Sequence, residues 1–415
     1  MTALRLVFLL LMLSFVGGCA FKIEKPVEKP LPPLVLIPPE KEPFLLDDLD
    51  RESLDAAIKR SLQYYEKTAG KNTYGLDNGR VTAKELKETL LAFRNILRSN
   101  DSNWIKQKKI RNTFDVYKAT GRDNQGGVLF TGYFESVLEG SRERTEKYRY
   151  PIYKTPDDVI GVNLGKFSAK YKNDKIIGRL KNGELIPYFT RADIEEKGVL
   201  AGKNLELAWV NDPIDIFFMH IQGSGTIRLP KGKHIQVSYA RSNGRPYRSI
   251  GKYLRDTGKL SSSEITHQSV KRYLREHPDE LSEILNHNES FIFFRIVDNG
   301  PIGALGLPLT SGRSIATDLD LFPKGALAFI KLRKPSFNKN GNIESWKTFS
   351  RFVLNQDTGG VIKGPGRVDL FCGTGHEAEM VAGSLKENGE LYFLVKKKNN
   401  RTDDESVSPS SKQKE

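Results

Sequence analysis

The sequence predicts a mainly β protein with a helical N-terminal segment, and three observations carry that expectation. Near the start, two stretches repeat apolar residues at helical spacing. From Val128 onward, short β-prone runs alternate with turns rich in Gly, Asn and Asp. There is no internal repeat, and many short strands with few helices point to barrels or sandwiches, not a doubly wound sheet. The 415 residues allow one large domain or two to three ordinary ones, and a hydrophobic content of 38% suffices for a buried core.

The first element is MTALRLVFLLLMLSFVGGC, with one cation (Arg5), an apolar run from Leu6 to Val16, and then Gly17-Gly18-Cys19. The run is too short to span a bilayer and ends in small residues, so residues 1–18 read as a cleaved export signal. A cysteine directly after two glycines resembles a bacterial lipobox, which makes Cys19 the lipidated first residue of a membrane-anchored protein. An ordinary signal peptide with a chance cysteine is the plainer alternative. Ala20, in place of an acid after Cys19, agrees with the periplasmic face of the outer membrane. Cys372 is the other cysteine, so no intrachain disulfide is available once Cys19 is lipidated.

Residues 19–44 read as an extended tether, since seven prolines lie from Pro26 to Pro43. The tail, residues 396–415, is polar and predicted to be disordered. The formal charge is +14, and removing Arg5 with the signal leaves +13. That balance favours anionic partners, but export argues against nucleic acid, and positive charge spread along a chain is more often solubility than a binding patch.

Within the folded body, Leu54, Ile58, Leu62 and Tyr65 mark one helix face, and Leu86, Leu90, Phe93 and Leu97 a second. The runs VLFTGYF, YPIYK, IIGRL, LELAWV, IDIFFMHI and TIRL follow as strand candidates. A helical stretch returns from Ser249 to Asn288, and SFIFFRIV, ALAFIKL, TFSRFVL, RVDLFCG and ELYFLVK close the chain as strands.

Two Asp-Thr-Gly triplets, at Asp256 and Asp357, raise the possibility of an aspartic protease dyad. Asp256 has a structural account: Ile250, Tyr253 and Leu254 have helix spacing, Gly258 fits the closing left-handed position, and Ser261 with Glu264 fits a capping box for the next helix. Asp357 alone could be an Asx-turn. Twelve residues later, however, Asp369 stands between Val368 and Leu370-Phe371, where desolvation would raise its pKa toward that of a general acid. Lys363 and Arg367 lie between the two acids, to bind anionic substrate or to hold Asp357 ionised. The glycines there do not form a phosphate loop, and no histidine spacing suggests a metal. Gln222-Gly223-Ser224-Gly225 misses the nucleophile-elbow spacing; it reads as a turn between two strands or a polar loop lining a groove.

These residues stand among motifs that resemble, in order, those of the membrane-bound lytic transglycosylase A family. The motifs are Phe130-Thr131-Gly132-Tyr133, Tyr150-Pro151-Ile152-Tyr153, Thr190-Arg191-Ala192, Leu207-Ala208-Trp209-Val210, Phe217-Phe218 with Ile221 to Gly225, and Asn243 to Tyr247. Phe293-Phe294-Arg295, Ser314 to Asp318, Asp357 to Gly364, and Asp369-Leu370-Phe371 with Gly373 and Gly375 complete the set. The resemblance implies a double-psi β-barrel catalytic domain built from residues 45–137 and 297–395, the latter being a three-aspartate part. It implies an inserted β-barrel-like substrate domain over 138–296, with a groove between the two. It implies cleavage of peptidoglycan glycan strands to 1,6-anhydromuramoyl products by Asp369, with Asp318 and Asp357 in support. Thr131, Tyr133, Gln222, Gly223, Ser224 and Lys363 are candidate glycan contacts. The expected protein is a monomer that needs no cofactor or metal and is held to the membrane through Cys19. The alternatives are a non-catalytic peptidoglycan-binding lipoprotein and, more remotely, the protease.

Overall fold

The computed structural model describes residues 31–398 apart from 69–71, 173, 263 and 264. The export signal, Cys19 and residues 399–415 therefore lie outside the described residues. Strand outweighs helix, 35% against 29%, so the fold is mainly β.

The first helix, Arg51–Lys67, opens where the Asp50 carboxylate accepts the Ser53 N–H at 2.7 Å, and it buries Leu54, Ala57, Ile58, Leu62 and Tyr65. The second, Ala83–Arg98, opens with a reciprocal Thr82–Glu85 capping box and buries Leu86, Leu90 and Phe93. Both lie against the largest core, where Phe93 meets Phe352 at 4.7 Å between ring centroids. The Pro-rich segment enters the fold earlier than its composition suggests. Leu34–Leu36 is a strand on Phe114–Ala119, and Leu34 is fully buried, so the folded body begins there and not at Leu45. Two apolar residues at alternate positions suffice to pair a short segment with a free sheet edge.

Thirteen strands form one mixed sheet. Its organising element is the long strand Val128–Ser141. Arg367–Thr374 pairs with it in parallel along its first half, and Lys386–Lys396 antiparallel at its start. Ser224–Arg228 then pairs in parallel along its second half. Accordingly the strand places Val128 and Phe130 in the main core, Phe134 against Ala378 and Ala382, and Leu138 in a separate core with Ile152, Val210, Ile227 and Phe294. Two further cores, one around Phe217, Leu254 and Leu274 and one around Tyr188, Leu200 and Phe293, are also made from the middle of the chain.

One sequence expectation fails here, for a physical reason. IDIFFMHI is not a strand: it lies in the helix Pro213–Gln222, started by Pro213 and by the Asp212 carboxylate accepting the Ile214 N–H at 2.8 Å. The helix lies between two cores, with Ile216 and Met219 in one and Ile214, Phe217 and Phe218 in the other. A helix buried on two sides has an uninterrupted apolar run, which hides its period. The helix His267–Glu276 begins under a Thr266–Ser269 box; the expected Ser261–Glu264 box involves Glu264, which lies outside the described residues. The helix Ile250–Asp256 does end as expected, with Gly258 at φ +73°.

Arg313 ties the N-terminal segment to the sheet. Its side chain is fully buried and donates to the Asp47 carboxylate at 2.6 Å, to Ser53 Oγ at 3.0 Å, and to the Asp50 and Phe352 carbonyls at 2.8 Å. Removing one member of such a pair leaves the other buried and uncompensated. Arg313→Ala is expected to cost about 3 kcal/mol, read as a lowered urea midpoint, whereas Lys363→Ala on the surface should stay within about 0.5 kcal/mol.

Candidate active site

The short strand Ser314–Ala316 lies between two aspartate-bearing strands. Ala316 is opposite Asp357 at the end of Ile343–Asp357, in parallel pairing, and opposite Asp369 on Arg367–Thr374, in antiparallel pairing. Asp369 is in turn opposite Thr131 on the long strand. Paired residues project to the same side of a sheet, so Asp357, Asp369 and Thr131 share one face. Tyr133 is next along that face, its ring 5.3 Å from that of Phe371. Asp318 follows two residues after Ala316. Gly132, between Thr131 and Tyr133, is required on the reverse side: a Cβ there would sit 2.6 Å from Cα of Ala382 in the helix His376–Ser384.

The three carboxylates have different surroundings. Asp318, 7% exposed, accepts the Gly364 N–H at 2.9 Å and the Asp320 N–H at 3.2 Å, with Lys363 Nζ at 3.5 Å. It therefore pins the loop between the other two acids. Asp357 accepts three donors: Tyr133 Oη at 2.8 Å, and the Ala304 and Thr358 N–H groups at 2.9 Å. Burial pushes its pKa up to about 6, against the pull of those donors. Asp369, with its side chain 18% exposed, has the Arg367 guanidinium at 3.3 Å but no hydrogen-bond donor to its buried Oδ1 among the described residues. Burial also raises its pKa to about 6; Arg367 opposes the shift and Asp357 adds to it. Arg367 Nη1 and Thr131 Oγ1 are likewise buried without a hydrogen bond among the described residues.

This arrangement corrects the electrostatic expectation in part. Lys363 pairs with Asp318 and Asp320 and Arg367 with Asp369, while Asp357 is held by dipoles. Leu370 lies in the main core, whereas Phe371 stays on the Asp369 side. Gln222 ends its helix, and its Oε1 accepts the Phe134 N–H at 3.0 Å, beside Tyr133. Gly223 turns the chain at φ +79°, and Ser224 is buried in the next strand opposite Ser238. Asp256 is apart from this group: it is half exposed, pairs with Arg255 at 2.8 Å and terminates a helix. One polar residue was missed. Glu135 is buried on the Thr131–Tyr133 face, accepts from Thr374 Oγ1 at 2.8 Å, and has a pKa raised by burial. Its period-two spacing after Thr131 and Tyr133 was the available signal. Among the described residues no three His, Cys, Asp or Glu side chains converge as a metal site does.

Residues 129–295 match the family model described as the MltA specific insert domain, and residues 313–395 match the 3D domain. A membrane-bound lytic murein transglycosylase A of Escherichia coli strain K12 is 32% identical over 283 residues, 68% of this chain and 69% of the relative. The crystal structure of a membrane-bound lytic murein transglycosylase from Agrobacterium tumefaciens superposes with a TM-score of 0.72 at 28% identity, covering 88% of this chain and 97% of that one. The Escherichia coli MltA structure with bound chitohexaose gives a TM-score of 0.66 at 26% identity, covering 88% and 94%. With this identity over more than two thirds of a relative, and both family models in order, the chain belongs to the membrane-bound lytic murein transglycosylase A family.

Proposed function

We propose that the chain is a lytic transglycosylase of peptidoglycan that cuts the β-1,4 bond between N-acetylmuramic acid and N-acetylglucosamine, with Asp369 as its one acid and base. The observation that carries this assignment is the trio of Asp369 Oδ1, Arg367 Nη1 and Thr131 Oγ1, buried on two adjacent strands without a hydrogen bond among the described residues, beside an Asp357 whose oxygens are already bonded. Buried polar atoms without partners are rare, and the polar groups of a bound ligand would satisfy a cluster of them. Membership of the family, and the chitohexaose held by its Escherichia coli member, support a glycan as that ligand.

Both carboxylates titrate in the same range, so they act as a coupled pair. The three donors at Asp357 favour the anion there and leave the shared proton on Asp369. Asp369 gives that proton to the glycosidic oxygen as the bond to C1 of the muramoyl sugar breaks, leaving an oxocarbenium-like centre. The Asp369 carboxylate then takes the proton of the same sugar's 6-hydroxyl, whose oxygen closes onto C1. The product is a 1,6-anhydro ring, and Asp369 ends as it began. Because the nucleophile is tethered within the substrate, no second carboxylate has to hold a water. Arg367 stabilises the transient Asp369 anion. Asp318 fixes the loop, and Thr131, Tyr133, Gln222, Gly223, Ser224 and Lys363 are assigned to the glycan groove.

The same reading divides the body into a double-psi barrel, residues 45–137 and 297–395, and an insert over 138–296, with the groove between them. It makes the protein a monomer anchored through Cys19 at the periplasmic face of the outer membrane.

Sacculi digested with the wild-type chain should release fragments one water lighter than reducing muropeptides, by mass spectrometry. Asp369→Asn is expected to lower that release roughly 10²–10⁴-fold, the usual span of general acid–base catalysis, while still binding sacculi. Reducing ends would make the chain a hydrolase, and a wild type that binds without cleaving would leave a glycan-binding module.

The acid must be protonated, so kcat/KM should fall as pH rises through about 6. Asp357→Asn removes a neighbouring negative charge and should move that limb to lower pH; Arg367→Met removes a positive one and should move it to higher pH.

A pKa raised from 3.8 to about 6 means that the folded state holds its proton where the unfolded state has lost it. Stability therefore declines as pH rises from about 4 through about 6. Asp369→Asn should raise the urea midpoint at pH 7.5, by on the order of 1–2 kcal/mol, and the gain should vanish near pH 4.

A further inference from the structure

The helix Asn103–Thr113 takes no part in the site and little in the core, for Ile110 is its one buried residue. Trp104 is 71% exposed and Ile105 beside it is exposed as well. Lys106, Lys108, Lys109 and Arg111 follow, with no acid in the helix. Lys397 extends the positive charge, donating from Nζ to the Arg111 carbonyl at 2.9 Å. The segment Glu42–Leu46 runs along the helix: Gln107 donates its side-chain N–H to the Leu45 carbonyl, and Arg111 lies 3.9 Å from Glu42. Leu45 is buried, but Phe44 and Leu46 on either side of it are 60% and 51% exposed. Gln107 is three residues after Trp104 and four before Arg111, so the three share a flank of the helix. That flank thus carries an aromatic ring and a cation, with two exposed apolar side chains beside it. Lys109 is engaged by Asp101, whereas Lys106 and Lys108 form no ion pair among the described residues.

We propose that this face docks on the headgroup layer of an anionic phospholipid bilayer. Trp104, Phe44 and Leu46 enter the interfacial zone, where an aromatic ring with one polar edge is favoured, and Lys108, whose Nζ lies 5.7 Å over the Trp104 ring, and Arg111 meet lipid phosphates. A second protein is a poorer fit, because interface cores are depleted of lysine. The proposal rests on the lipid-anchored reading of Cys19 for its geometry. Eleven residues lie between Cys19 and Leu31, and the twelve steps of chain span at most about 40 Å. An anchored body is thereby confined near the bilayer, where a weak second contact becomes effectively intramolecular.

The test uses the full chain, with its acyl state read by mass spectrometry, in vesicles of phosphatidylcholine alone or mixed with phosphatidylglycerol. Brominated acyl chains quench tryptophan that reaches the interface, and the chain holds three tryptophans, Trp104, Trp209 and Trp346. The expected result is quenching in the anionic vesicles that Trp104→Phe abolishes and added salt weakens. Lys108→Glu with Arg111→Glu should reduce affinity for those vesicles roughly tenfold or more. Both variants should keep full activity on soluble glycan. A chain that floats with vesicles through its acyl group, yet shows no Trp104-dependent quenching, overturns the proposal and leaves the anchor intact. Quenching in a chain without an acyl group supports the proposal and removes the anchor. Neither quenching nor acylation defeats both. Loss of sacculus binding on charge reversal, without any quenching, assigns the face to the cell-wall polymer and overturns the proposal.

Discussion

The placing of Asp357 and Asp369 depends on a three-residue strand that carries no acid of its own. Ser314–Ala316 is hydrogen-bonded on one side to the strand that ends in Asp357 and on the other to the strand that carries Asp369. The separation of the two carboxylates is therefore set by two rows of backbone hydrogen bonds, which are far stiffer than a loop. Side chains at either end hold this strand in place. Arg313 is buried just before it, and Ser314 donates to the Gln356 side chain at 2.7 Å. Asn355, also buried, accepts from Thr317 at 2.8 Å. The two carboxylates on one face of the sheet thus rest on a buried polar network.

Equal pKa values do not make the two acids equivalent. What separates them is the set of hydrogen bonds that each carboxylate already makes. A carboxylate with three donors has its anion stabilised, and as that anion it can orient a tyrosine and repel a neighbouring charge. A carboxylate with an unpaired oxygen can exchange a proton with something that arrives. Most glycosidases divide this labour between an acid and a water-holding or nucleophilic partner. The role proposed for Asp357 is accordingly electrostatic support for Asp369.

Much of this was legible in the sequence. The β class followed from alternation, the N-terminal helices from apolar spacing, and the end of the helix at Asp256 from a single glycine. Asp357 and Asp369 announced themselves as acids beside strands in a glycine-rich stretch. What could not be read was which strands would be neighbours. Ala316 between the two acids, and Thr131 opposite Asp369, are products of register, which no local pattern encodes. The pairing of Lys363 with Asp318 and of Arg367 with Asp369 depended on it too. The helix at Pro213 was missed because burial on two sides erased its polar face, although the Asp-Pro pair that starts it was visible.

The strand Val128–Ser141 carries Thr131 and Tyr133 in one half and helps build a separate core with Leu138 in the other. It runs through the junction without a loop to absorb slack. One residue gained or lost between Tyr133 and Leu138 would turn every later side chain over and would displace the Phe134–Gln222 link with it. Across descendants of this gene, changes of length should thus be purged from that stretch and collect in segments such as the exposed turn 338–342. Substitution and insertion would then leave different scars on the same protein.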